Sequence, residues 1–177
     1  VMTSREAEAA LGRWSGLTRR HARRVLAGGL AGEPVRAGQA LLHDPVRVHA
    51  LARRTFVEED EVDQVAPDLL VLRRDVHAMA PLHEISETLS TGWDFSAYTR
   101  VAVRVRIERR GGRLPVVATT AGFVTAGADL LAVTVDDGDS RLTLAEPGGW
   151  FDTFRDRRYA TGPGRPWWIR GWAPSAT

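Results

Sequence analysis

The sequence predicts an α+β protein of two units: a small basic unit of short helices with a hairpin, then a larger mixed α+β domain with an antiparallel sheet. Three observations carry that prediction. Helix-capping residues and glycine stops divide the first 56 residues into three helical segments and two extended pieces. The charge is divided as well. Residues 1–57 hold ten arginines against four carboxylates (Glu6, Glu8, Glu33, Asp44), net +6, whereas residues 58–177 hold fourteen arginines against eighteen acids, net −4. Beyond residue 68, short apolar and β-branched runs are separated by Gly, Pro and Asp.

In chain order, Thr3-Ser4-Arg5-Glu6 has the spacing of a capping box and opens a helix over Arg5–Leu11 that buries Ala7, Ala10 and Leu11. Gly12–Leu17 reads as the connection. Thr18 caps a second helix, Arg19-Arg20-His21-Ala22-Arg23-Arg24-Val25-Leu26, because its hydroxyl can accept an unpaired backbone N–H. At about 100° per residue, the four arginines fall within roughly 140° of arc and Ala22, Val25 and Leu26 lie opposite. Such a helix packs on its own unit while presenting guanidinium groups to phosphates and base edges. A solvated basic face fits the same residues. Gly28-Gly29 stops the helix. Glu33–Arg36 and Ala40–His43 form a hairpin around Ala37-Gly38-Gln39, and Asp44-Pro45 starts a third helix with the apolar stripe Val48, Leu51, Ala52.

Residues 3–53 resemble the winged helix-turn-helix of excisionases and the DNA-binding part of MerR-like regulators. The resemblance rests on Thr3-Ser4-Arg5-Glu6-Ala7, Leu11-Gly12, Thr18 through Leu26, Gly29-Leu30, Pro34-Val35-Arg36, Gly38 and Asp44-Pro45. It implies that the second helix enters the major groove and that the wing touches the neighbouring backbone. By position, Arg19, Arg20, His21, Arg23 and Arg24 match the groove-facing residues and Arg36 the wing contact. Arg19, Arg20 and Arg23 are the expected base-edge or adjacent phosphate contacts, with Arg24 and Arg36 on the backbone. Thr18, at the helix start, completes the expected DNA-binding set.

The first unit is expected to span 1–56, an acidic linker 57–68, and the second domain 69–177, serving dimerisation or ligand or partner binding. The run Glu58-Glu59-Asp60-Glu61-Val62-Asp63 reads as a solvated linker or exposed helix start; a sharper reading makes it an internal phosphate mimic covering the arginine helix. Leu69–Leu72, Pro115–Thr120 and Leu130–Val135 read as strands, and Asp136-Asp137-Gly138-Asp139 as a turn returning into Arg141–Leu144. Tyr98–Arg110 fits either a strand, from the alternation of Val101, Val103, Val105 and Ile107, or a helix capped by Ser96 and stopped by Gly111; the alternation favours the strand. Trp150, Phe151, Phe154, Tyr159, Trp167, Trp168 and Trp172 suit a core, a protein-docking surface or an aromatic ligand pocket.

Composition excludes much chemistry. With no Cys there is no disulfide, thiol catalysis or Cys-ligated metal, and with no Lys there is no P-loop lysine or Schiff base. His77, His83, Asp75 and Glu84 lack the spacing of a zinc helix motif, and no serine sits in a nucleophile elbow. No membrane span, export signal, cofactor or metal is expected, and no enzymatic activity. The expected protein is therefore a cytoplasmic, homodimeric DNA-binding transcriptional regulator, partnered by double-stranded DNA. Two alternatives are an excisionase-type DNA-bending recombination factor, and a ligand-binding protein or enzyme that the basic module only localises. The aromatic tail is a further candidate surface for a protein partner.

Overall fold

Thr3 caps the first helix, its hydroxyl accepting the Glu6 amide while the Glu6 carboxylate accepts the Thr3 amide. The computed structural model describes residues 1–78, 80–162 and 164–171 and places this capping box at the junction of strand β1 (Met2–Thr3) and helix α1 (Ser4–Ser15). The helix runs four residues past Leu11, through Gly12, and ends at Gly16, whose left-handed φ of 68° an L side chain rarely adopts. The connection to helix α2 (Arg19–Ala27) is consequently only Gly16-Leu17-Thr18, not the expected Gly12–Leu17. Gly12 is tolerated inside the helix because a side chain there would press on the Leu17 carbonyl. Strands β2 (Val35–Ala37) and β3 (Ala40–His43) form the expected hairpin, and β1 adds to β3 to give a three-stranded sheet in the order β1-β3-β2. Helix α3 (Pro45–Ala52) follows its Asp44 cap. Ala7, Leu11, Ala22, Val25, Leu26, Val48 and Leu51 close a core between the three helices.

The second unit is mixed α+β. Strands β4 (Leu69–Leu72), β5 (Leu114–Thr120), β6 (Phe123–Asp136), β7 (Asp139–Ala145) and β8 (Trp167–Arg170) form one sheet in the order β7-β6-β5-β4-β8. Its pairings are antiparallel except β4 with β5, which run parallel. A parallel pair needs a crossover, supplied by helices α5 (Leu82–Leu89) and α6 (Ala97–Arg109). That connection corrects the strand favoured for Tyr98–Arg110. Ser96 caps α6, which buries Thr99, Val103 and Ile107 at fourfold spacing and leaves Tyr98, Val101 and Val105 exposed.

Alternate residues of β4 enter two cores: Leu70 and Leu72 pack with Leu89, Trp93, Val103 and Ile107, while Leu69 and Val71 pack with Val62, Val117, Phe154 and Tyr159. Covered on both faces, β4 is apolar throughout. Trp150, Phe151, Phe154, Tyr159, Trp167 and Trp168 lie in or against these cores; Trp172 falls outside the described residues. Gly127 lies flat under the Phe151 ring, where a Cβ would overlap the ring carbons. Gly127→Ala should therefore cost about 1–3 kcal/mol by overpacking, read as a lower denaturant midpoint with an unchanged slope.

The stretch 57–68, expected as an acidic linker, is part of the second unit. Helix α4 (Glu59–Val65) buries Val62, and Val57 and Ala66 are buried beside it. Its acids have their own arginines: Glu61 accepts from Arg157 at 2.9 Å, and Glu59 and Asp63 accept from Arg170. That corrects the phosphate-mimic reading, because the carboxylates bonded to α2 come from elsewhere.

The first unit docks on one end of the large sheet, where the parallel strands β4 and β5 finish and β6 and β8 begin. Phe123, the first residue of β6, is fully buried among the core residues of the first unit, with Ala78 and Ala121 packed beside it. The Ala78 amide donates to the Gly28 carbonyl at 2.9 Å and the Arg158 amide to the Thr55 carbonyl at 2.8 Å. The Arg158 guanidinium lies 4.3 Å from the Phe56 ring centre and 4.8 Å from that of Phe123.

Candidate nucleic-acid interface

Thr18 accepts the His21 amide at 3.3 Å and so fixes the start of α2. With Ala22, Val25 and Leu26 buried, the 3.6-residue period sets Arg20 at the outward apex, Arg19 and Arg23 on one flank and Arg24 and His21 on the other. The two flanks have different neighbours. On the α1 side, Glu8 is only 7% exposed, and its two carboxylate oxygens accept Arg19 Nε at 2.7 Å and Arg23 Nε at 3.1 Å. Both arginines nevertheless remain exposed, at 68% and 65%. Glu8 bonds each guanidinium through Nε, which leaves the paired terminal nitrogens as the groups available to a bidentate acceptor. One buried acid thus aligns two cationic forks.

Burial raises the Glu8 carboxyl, but the hydrogen bonds and charges of Arg19 and Arg23 outweigh it and hold the group below the usual glutamate value. The sign for stability follows from linkage: the contribution is complete above the unfolded-state value and is lost as pH falls through the lower folded value. Thermal stability of the wild type should therefore fall more between about pH 5 and pH 3 than that of Glu8→Gln. Equal acid sensitivity of the two proteins would refute a stabilising role for the ionised Glu8 between Arg19 and Arg23.

On the other flank Arg24 reaches the second unit. Its Nε and Nη2 donate to the two oxygens of Asp75 at 2.9 and 2.7 Å, and Asp75 also accepts from Thr120 Oγ1 at 3.0 Å. The Arg24 hydrogen bond, opposed by burial and helped by Thr120, lowers the Asp75 carboxyl below its ordinary value. Arg24, expected on the nucleic-acid backbone, is thus an inter-unit tie, and half-buried His21 lines a cleft against the second unit rather than joining the outward face. Arg20 is exposed and has no carboxylate within 4 Å among the described residues.

The hairpin presents Val35, Arg36 and Ala37 as an exposed strand, with Arg36 likewise free of an ion pair among the described residues. A hollow of about 240 Å³ between α2 and the β2–β3 hairpin is lined by Arg23, Ala27, Pro34 and Leu41 together with Glu8 and Glu33, so the C-terminal part of α2 and the hairpin border one concave surface.

No family model matches the chain, and no curated protein or solved structure matches it. What the surface can do follows from its own chemistry. It offers three exposed guanidinium groups on one helix and a fourth on an adjacent hairpin, suited to phosphates and to the acceptor edge of guanine.

Among the described residues no group of three or more His, Asp or Glu is placed to hold a metal. The residues that could be drawn as one are dispersed: Asp75 bonds Arg24, His77 lies 2.9 Å from Glu33, and His83 sits 3.9 Å from Glu84. No helix among the described residues is long and apolar enough to cross a membrane. The pairings of Glu8 and Asp75 with the α2 arginines carry no sequence signal. Glu8 lies 11 and 15 residues from Arg19 and Arg23, and Asp75 lies 51 residues from Arg24, on elements whose approach only the tertiary fold sets.

Proposed function

We propose that the chain is a sequence-specific DNA-binding protein, a transcriptional regulator whose first unit works as a winged helix-turn-helix. In this reading α2 is the recognition helix: Arg20, at its apex, reads base edges, and Arg19 and Arg23, held by Glu8, contact bases or adjacent phosphates. Arg36 on the hairpin wing binds the neighbouring backbone. The observation that carries the reading is the exposed arginine ridge of α2, reached from α1 by a three-residue connection and bordered by a hairpin that presents Arg36. The net charge of +6 on residues 1–57 supplies the long-range attraction for a polyanion.

One module of this size gives limited affinity, so the chain binds repeated half-sites as a homodimer in the cytoplasm, and no catalytic step is assigned to it. A DNA-bending recombination factor is the less economical reading, because a large second unit is joined to the basic one through a buried core.

Selection of bound fragments from a randomised duplex pool tests the proposal. A recovered consensus containing guanine at fixed positions, arranged as two half-sites about one helical turn apart, is the expected result. Recovery of no sequence above background would refute sequence-specific binding.

A further inference from the structure

Between the two units lies a cleft of about 690 Å³, within the size range of small-molecule sites. It opens where the parallel strands β4 and β5 end, the position at which open sheets of this kind hold ligands. The described residues lining it include Arg24, Arg73, Arg158 and His21 but no carboxylate. Arg24 is neutralised by Asp75. Arg73 and Arg158 are not: among the described residues Arg73 donates to the carbonyls of Gly164 and Arg165, and Arg158 to that of Ser15, with no acid within 4 Å of either.

A second observation is independent of charge. Thr119 is only 2% exposed, lines the cleft, and its hydroxyl has no hydrogen-bond partner among the described residues. The β5–β6 register shifts between Ala118 and Thr119, the kind of irregularity that re-aims a side chain. Arg158 Nε is likewise buried and unpartnered. Unsatisfied buried donors cost stability unless a ligand supplies acceptors.

We propose that this cleft binds a small-molecule oxyanion, a phosphate or carboxylate group held by Arg73 and Arg158 with the Thr119 hydroxyl donating to it. Each guanidinium supplies charge-assisted donors, and the hydroxyl adds the neutral one that the bulge orients. The binding assay is run without DNA, so its outcome does not depend on whether α2 binds a duplex.

Calorimetric titration of the full chain with inorganic phosphate, and separately with succinate, distinguishes the two sources of the anion. At least one should bind saturably at one site per chain in the millimolar range or tighter. Arg73→Gln should weaken that binding about tenfold or more and Thr119→Val severalfold, whereas Arg109→Ala, at the exposed end of α6 and outside the cleft lining, should leave it unchanged. Melting temperatures of the two cleft variants verify folding, and Thr119→Val preserves shape. Absence of saturable binding by both probes, or equal binding by wild type and both cleft variants, overturns the proposal. So does a result in which neither anion binds and Arg73→Gln instead weakens duplex binding with a shallower salt dependence, which would assign the cleft to a DNA phosphate.

Discussion

Phe123→Ala should destabilise the protein by about 3–5 kcal/mol, the range for emptying a buried aromatic site. The ring is fully buried and its surroundings come from the other unit: Ala22, Val25 and Leu51 belong to the helical core that it completes. Truncation removes the apolar area, leaves a cavity between elements that cannot both collapse into it, and deprives Arg158 of one of its two aromatic faces. The position makes a second consequence testable. Phe123 is covalently part of the large sheet but packs in the small unit, so it couples their unfolding. Calorimetry should show one transition for the wild type and two for Phe123→Ala, as the small unit loses its support and melts first. A variant that melts in one step at the wild-type temperature would contradict this account of the junction.

Arg20→Ala should weaken binding to a selected duplex by about 1–3 kcal/mol, roughly five- to 150-fold, and relax the base preference at one position. The large effect follows from position: Arg20 is at the apex of α2, exposed and bound to no carboxylate among the described residues. Arg36→Ala should instead weaken all sequences alike and lower the salt slope by about one. Arg24→Ala provides the contrast. Because Arg24 bonds Asp75 in a bidentate pair, its loss should alter the inter-unit contact more than DNA affinity. Gel shifts of the three variants at two salt concentrations separate these outcomes. Equal losses with equal salt dependence would remove the distinction between base reading and backbone contact.

Where local chemistry decides the structure, the sequence is legible. Thr3, Thr18, Asp44 and Ser96 each accept a backbone amide at a helix start, and the β2–β3 and β6–β7 turns fall on their glycine-containing segments. Where packing decides, it is not. The β-branched run of α6 alternates like a strand, yet in the crossover between two parallel strands it packs Val103 and Ile107 on the sheet as a helix, and packing prevails over periodicity. Gly12 looks like a stop but packs against the connection that follows it. The acids of α4 stay exposed, as an exposed helix start would, but their partners Arg157 and Arg170, about a hundred residues away, carry no local signal. The site shows the same division. Its arginine ridge follows from helical geometry, but Glu8 and Asp75 determine which arginines are aligned and which one is diverted to the second unit.

The most direct measurement is the salt dependence of duplex binding by the 177-residue chain, followed by fluorescence anisotropy. With phosphate contacts from Arg19, Arg23 and Arg36, the logarithm of the association constant should fall linearly with the logarithm of salt concentration, with a slope on the order of −3 per bound copy. No detectable association at low salt, or binding indifferent to salt, would contradict a role for the arginine ridge in holding DNA.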